Sequence, residues 1–132
     1  MTVNILNKKT ISFNFFSYIK SLLLLMKPRV MSLVIFTSTV GLLTAPVKIS
    51  FYDSIVGIFF VAMGAGAAGA LNMWYEADLD KLMTRTCLRP IPTGKVNRNH
   101  ALIFGIVLSI ISVLGLNYFA NTISAILLFS TI

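Results

Sequence analysis

Long uncharged apolar runs alternate with short charged segments along this chain. Residues 30–47, 54–75 and 101–120 contain no Asp, Glu, Lys or Arg. Each is long enough, as a helix, to cross about 30 Å of hydrocarbon. Pro46 and Lys48 end the first run, and a short connection passes through Ser50 and Asp53. Trp74 and Tyr75 close the second run with side chains that favour the headgroup level. Asn117, Tyr118 and Asn121 predict a turn after the third. Residues 121–132 are apolar but shorter than the roughly 20 residues a span needs, so they read as the start of a fourth. The predicted fold class is all-α, a multi-pass transmembrane helix bundle.

Residues 1–29 are amphipathic, mixing Phe13, Phe15, Phe16 and Tyr18 with Lys8, Lys9 and Lys20. The apolar run at 21–26 is too short for a signal-peptide core, and no small-residue cleavage pattern follows it. An interfacial segment leading into the first span is the better reading. Pro28 suits the first turn of that span, where its missing N–H is not needed. The expected organisation is an interfacial segment over 1–29 and a transmembrane domain over 30–132.

Composition agrees. Hydrophobic residues make up 57% of the 132 and charged residues 11%, with mean hydropathy +0.88. Soluble domains carry about 25% charged residues, so this chain lacks the polar groups to clothe a water-soluble globule. The apolarity also excludes disorder. A single cysteine excludes a disulfide framework or a multi-cysteine metal site. The net charge of +7 raises a nucleic-acid partner, but a nucleic-acid reader gathers its cations on one exposed face. Here Lys8, Lys9, Lys20, Lys27 and Arg29 precede the first run, Lys81, Arg85, Arg89, Lys95 and Arg98 follow the second, and Lys48 lies between. No nucleic-acid partner is expected. The two cation-rich segments, two spans apart, share one side of the membrane, which the positive-inside rule makes cytoplasmic or matrix. The N-terminus and the 76–100 loop are therefore expected inside, at a bacterial or mitochondrial inner membrane.

Two motifs carry candidate chemistry. Gly64-Ala65-Gly66-Ala67-Ala68-Gly69 matches the dinucleotide fingerprint, which needs a preceding strand and a helix opening at the glycines. Within an apolar run of spanning length it reads instead as small residues that let helices approach closely. The second motif follows. Asn72, Glu76 and Asp80 recur every four residues, so helical continuation places them along one face. With Asp78 they put three acids within five residues, a repulsion that a divalent cation relieves. Hard oxygen donors in small number suit Mg²⁺, which takes further ligands from water and substrate phosphates. Lys81, Arg85 and Arg89 follow at the same spacing, and arginine forks pair with phosphate oxygens. A Mg²⁺–diphosphate would require such a set. The competing reading is a solvated, internally paired loop.

The order of residue types from Asn72 to Gly94 resembles the signature of the UbiA superfamily of intramembrane prenyltransferases: Asn72, Glu76, Leu79-Asp80, Met83, Arg85-Thr86, Arg89 and Gly94. Met26-Lys27-Pro28-Arg29-Val30 and the spacing of Glu76, Asp78 and Asp80 are similar to its haem O synthase branch, the protohaem IX farnesyltransferases. The resemblance implies Mg²⁺-assisted transfer of farnesyl from farnesyl diphosphate to a vinyl group of haem B, giving haem O. It implies Asn72, Glu76 and Asp80 as catalytic residues, with Asp78 joining them as metal ligands, and Lys81, Arg85 and Arg89 on the diphosphate. It leaves open a quinone precursor as acceptor in another branch, or a non-catalytic membrane half of a split protein.

The family fold implied is nine spanning helices with two acidic motifs facing across a cavity. Three spans, part of a fourth and one motif are present, and no acid follows Asp80. A truncated or split member without turnover of its own is expected, with a separate C-terminal chain carrying the second motif as a partner. His100, at the start of the third run, reads as boundary polarity rather than a haem ligand. Cys87 and Met63, Met73 and Met83 carry no assigned chemistry.

Overall fold

The structure, a computed structural model, describes residues 15–46 and 49–132. Lys8, Lys9 and Phe13 of the expected interfacial segment, and Val47 and Lys48 at the end of the first apolar run, lie outside the described residues. Six helices follow one another: α1 (Phe15–Leu25), α2 (Pro28–Thr44), α3 (Phe51–Tyr75), α4 (Ala77–Leu82), α5 (Arg98–Phe119) and α6 (Thr122–Thr131). The described residues contain no strand. α3 is the centre, packed most extensively on α5 and then on α2, while α5 and α6 pair as a hairpin.

Small residues make α3 central. Its buried positions are Ala62, Gly64, Gly66, Ala67, Gly69, Ala70 and Met73. At Gly69 a Cβ would stand 3.2 Å from the Leu25 carbonyl oxygen and 3.3 Å from the Met26 carbonyl carbon, so a side chain there would press on the backbone of the α1–α2 elbow. The glycine-rich run thus acts in helix approach, as its apolar setting predicts. Outward-facing side chains are just as apolar: Leu33, Phe36, Phe59, Ile110, Leu114 and Phe129 are all exposed. Apolar surface on this scale suits lipid, not water.

Among the described residues, α3 and α5 are the two helices long and apolar enough to cross a membrane; their 25 and 22 residues rise about 38 and 33 Å. α2 starts at Pro28 but ends at Thr44, short of the 30–47 run. Ala45 turns to an extended conformation (φ −65°, ψ 135°) because it precedes Pro46, whose ring disfavours the helical region for its neighbour. Its 17 residues rise about 26 Å. α5 begins at Arg98 rather than 101, since the Asn97 side chain accepts from the Asn99 N–H and caps the helix. The expected turn is narrower than its polar residues suggested: Asn117 and Tyr118 stay in α5, and Asn121 caps α6 by accepting from the Ser124 N–H at 2.8 Å.

The 76–100 segment is not a free loop. It holds α4 and a run of turns, and its Ile91 and Val96 are buried with Leu25, Ala70, Met73, Ala77 and Ala101 in one apolar cluster. Val96 N–H donates to Pro90 O at 3.1 Å, and Gly94 N–H to Ile91 O at 3.0 Å. Gly94 adopts φ +72°, a left-handed conformation that glycine takes without the Cβ penalty. This cluster lies directly behind the acidic residues and ties α1, α3, α4 and α5 together at that end.

Candidate functional site

The last turn of α3 and the whole of α4 build the acidic face. Glu76 is the joint, with φ −81° and ψ 1°. The helical ladder nevertheless runs across it: Glu76 N–H donates to Asn72 O and Asp80 N–H to Glu76 O, each at 2.9 Å. Asn72, Glu76 and Asp80 therefore keep the register their spacing predicts. Asn72 Nδ2 donates to Glu76 Oε2 at 3.0 Å, which leaves the Asn72 amide oxygen open to a further ligand.

Asp80 is only 3% exposed. A carboxylate so far out of water needs a counter-charge, and Arg89 supplies it. Its Nη1 donates to both Asp80 oxygens at 2.8 Å and lies 3.6 Å from Glu76 Oε2. Arg89 is held there by its own turn: its N–H donates to Thr86 O at 3.0 Å, and the buried Thr86 hydroxyl donates to Asp80 O at 3.2 Å. One guanidinium thus faces two carboxylates, and the formal sum leaves one negative charge.

Asp78 is elsewhere. Two residues on from Glu76 is about 200° around a helix, so its carboxylate turns outward, with a side chain 67% exposed. Arg98 Nη1 donates to its Oδ2 at 2.8 Å and Lys81 Nζ to its Oδ1 at 3.4 Å. Those two bonds, that from Arg98 foremost, hold the Asp78 carboxyl below the ordinary carboxylate range. Arg98 also lies over the Trp74 ring, 5.5 Å from its centroid. Of the residues expected on a diphosphate, Lys81 is engaged by Asp78, Arg89 by Asp80 and Glu76, and Arg85 is exposed without an ion pair among the described residues. His100 Nδ1 is 2.8 Å from the Tyr18 hydroxyl, joining α5 to α1.

Among the described residues no three of His, Cys, Asp and Glu converge as a metal cage. What converges is Glu76, Asp80 and the Asn72 amide. Two carboxylates and one amide oxygen fit Mg²⁺, which binds through one or two carboxylates and completes its octahedron with water and phosphate. An apolar groove of about 820 Å³ opens beside this face, lined by Val30, Val34, Gly64, Ala68, Asn72 and Lys27 among others. Lys27 in that lining has no counterpart among the expected site residues, and no local spacing signal links it to Asn72, 45 positions on. A second groove of about 570 Å³ lies at the other end of α3, beside Asp53 and Asn121.

An all-helical bundle whose outward faces are apolar, with most of its carboxylates and its arginines gathered at one end, defines a membrane protein. The chain belongs to the UbiA prenyltransferase family, whose pattern matches residues 33–132. Over 120 residues it is 68% identical to the protoheme IX farnesyltransferase of Pelagibacter ubique, covering 91% of this chain and 38% of that protein. It is 55% identical over 108 residues to protoheme IX farnesyltransferase 2 of Mesorhizobium japonicum, covering 82% and 34%. With the Bartonella quintana protoheme IX farnesyltransferase it shares 52% over 108 residues, covering 82% and 35%. No solved structure matches the chain. The chain spans a little over a third of the length of these relatives. In each of them the matched segment is part of one longer chain, so a separate partner chain draws no support from them.

Proposed function

We propose that this chain forms the diphosphate-binding part of a protohaem IX farnesyltransferase, which transfers farnesyl from farnesyl diphosphate to a vinyl group of haem B and yields haem O. The observation that carries the reading is the convergence of Asn72, Glu76, Asp80 and Arg89, with Asn72 also lining an apolar groove. The names of the relatives favour haem over a quinone precursor as acceptor. The apolar lining of the groove supports a farnesyl tail.

In this reading Glu76, Asp80 and the Asn72 amide oxygen hold Mg²⁺, which supplies charge neutralisation for the leaving diphosphate. Arg85, free of ion pairs among the described residues, reaches the diphosphate directly. Arg89 shares its guanidinium between Asp80 and the incoming anion, keeping the carboxylate aimed while the anion binds. Lys81 remains Asp78's partner and adds positive potential at the rim. Cleavage of the C1–O bond of farnesyl diphosphate releases diphosphate and leaves an allylic cation. The vinyl π electrons attack that cation, water adds to the carbocation so formed, and loss of one proton gives the hydroxyethylfarnesyl group. The apolar groove walls exclude bulk water from the cation until this addition. The same reading places three spans and part of a fourth in a nine-helix fold, with α1 at the interface and the 76–100 segment on the cytoplasmic side of the inner membrane.

Farnesyl diphosphate binding by the protein in phosphatidylcholine nanodiscs tests it. Binding is expected to require Mg²⁺, and Asp80→Asn to weaken it on the order of a hundredfold. Binding that persists without Mg²⁺ and in Asp80→Asn overturns the reading.

A further inference from the structure

Lys27 occupies an unusual position. It is the one non-glycine among the described residues with positive φ, at 51°, a left-handed conformation that costs a side-chain-bearing residue about 1–2 kcal/mol. It forms the elbow between α1 and α2 and precedes Pro28 at the start of α2. The elbow is not loose: Leu25 is fully buried, and the backbone of Leu25 and Met26 lies against Gly69. Gly69 stands less than one helical turn before Asn72, so α3 sets the elbow and the first acidic-motif residue in fixed relation.

Lys27 is half-buried, lines the 820 Å³ groove together with Asn72, and makes no ion pair among the described residues. A lysine that lines a largely apolar groove without a counter-charge has three donors available to an anionic ligand. The ligand must be an anion that fits a mouth otherwise apolar on the groove side. Arg89 is committed to Asp80 and Glu76, and Lys81 and Arg98 to Asp78, while Arg85, also unpaired among the described residues, is exposed and does not line the groove.

The geometry points to Lys27 as a binding residue for the diphosphate of a prenyl diphosphate, gripping it from the α2 side of the groove while the Asn72–Glu76–Asp80 face holds it from α3. This rests on the function proposed above and adds to it a cation supplied by the α1–α2 elbow. The strained backbone is then a positioning device, since the turn at φ 51° aims the side chain along the groove rather than into lipid.

Four forms in phosphatidylcholine nanodiscs separate the outcomes: wild type, Lys27→Gly, Lys27→Arg and Asp80→Asn. Lys27→Gly suits φ 51° and removes the arm without new strain; Lys27→Gln repeats the measurement if the elbow loosens in the glycine variant. Farnesyl diphosphate with Mg²⁺ is expected to bind Lys27→Gly and Lys27→Gln about tenfold more weakly and Lys27→Arg within about twofold of wild type. Mn²⁺ binding, read by its electron paramagnetic resonance signal without diphosphate, is expected to be unchanged in the Lys27 variants. If the Lys27 variants bind farnesyl diphosphate like wild type while Asp80→Asn does not, the inference fails and the proposed function stands. If Asp80→Asn also binds normally, the proposed function fails and takes the inference with it. If Lys27→Gly changes only the phosphatidylglycerol retained from mixed-lipid discs, the ammonium holds a lipid headgroup and the inference is overturned.

Discussion

Two charge clusters arise from the same five residues and behave differently. Glu76 and Asp80 turn inward to Arg89, and Asp80 is 3% exposed. Asp78, between them, turns outward to Lys81 and Arg98 with a side chain 67% exposed. Both clusters pair carboxylates with cations at 2.8 Å. Distance therefore does not distinguish them; burial does. An exposed pair is screened by water and contributes little, whereas a buried carboxylate depends on its partner and punishes its loss. The set that contains a buried carboxylate is also the one suited to grip a metal-bound anion, because low dielectric around Asp80 strengthens its interactions.

The sharpest way to break this contrast is to neutralise each aspartate in turn. Asp80→Asn is expected to weaken Mg²⁺-dependent farnesyl diphosphate binding on the order of a hundredfold, as described. Asp80→Ala is also expected to destabilise the fold by about 2 kcal/mol, below the full cost of a broken buried pair because Glu76 stays 3.6 Å from Arg89. Asp78→Ala is expected to shift neither the unfolding midpoint nor the binding isotherm. Detergent-titrated unfolding followed by circular dichroism reads the first quantity, and equal shifts for the two variants would erase the distinction.

A smaller effect on binding is expected from Ile91→Ala. Ile91 belongs to the buried apolar cluster and anchors the 83–97 segment that brings Arg89 back to Asp80. Truncation is expected to cost roughly 2–5 kcal/mol of stability and to weaken farnesyl diphosphate binding less than Asp80→Asn does. Unchanged stability would show that the segment is held by its hydrogen bonds alone.

The smallest effect is the titration of Asp78. Its carboxyl is held below the ordinary range by the hydrogen bonds from Arg98 and Lys81. A depressed carboxylate contributes stability that is present above its unfolded value of about 3.9 and lost as pH falls through the depressed value. The pair with Arg98 should therefore persist at neutral pH and release only in acid below that value. Carbon-13 chemical shifts of the Asp78 carboxyl check the direction, and a midpoint at or above the unfolded value would contradict it.

Particular residues show what was legible along the chain. The i, i+4, i+8 spacing of Asn72, Glu76 and Asp80 predicts a shared face, and the hydrogen-bond ladder through Glu76 preserves it. The glycine-rich run reads as helix packing, and Gly69 against the elbow shows why. Asp78 counted with the acids by proximity in sequence, but two residues of helix turn it away. Residues 76–100 read as a charged loop because charge dominates there; Ile91 and Val96 are isolated apolar positions without periodicity, so nothing local marks them as anchors. Lys27 was visible only as part of a short motif, since its meaning lies in a groove shared with α3 and α6.

By itself the sequence determined the apolar helices, the charged window between them and the face on which Asn72, Glu76 and Asp80 line up. These are properties of periods of a few residues, and backbone geometry enforces them locally. Only the tertiary structure decided that Arg89 closes on Asp80 rather than standing in solvent, that Asp78 faces Arg98, and that Lys27 shares a groove with Asn72. Asp78 meets Arg98 across the segment that turns at Gly94, and Lys27 meets the groove through the α1–α2 elbow seated on Gly69. The free energy that selects them comes from burial of residues distant in sequence, which no local pattern encodes.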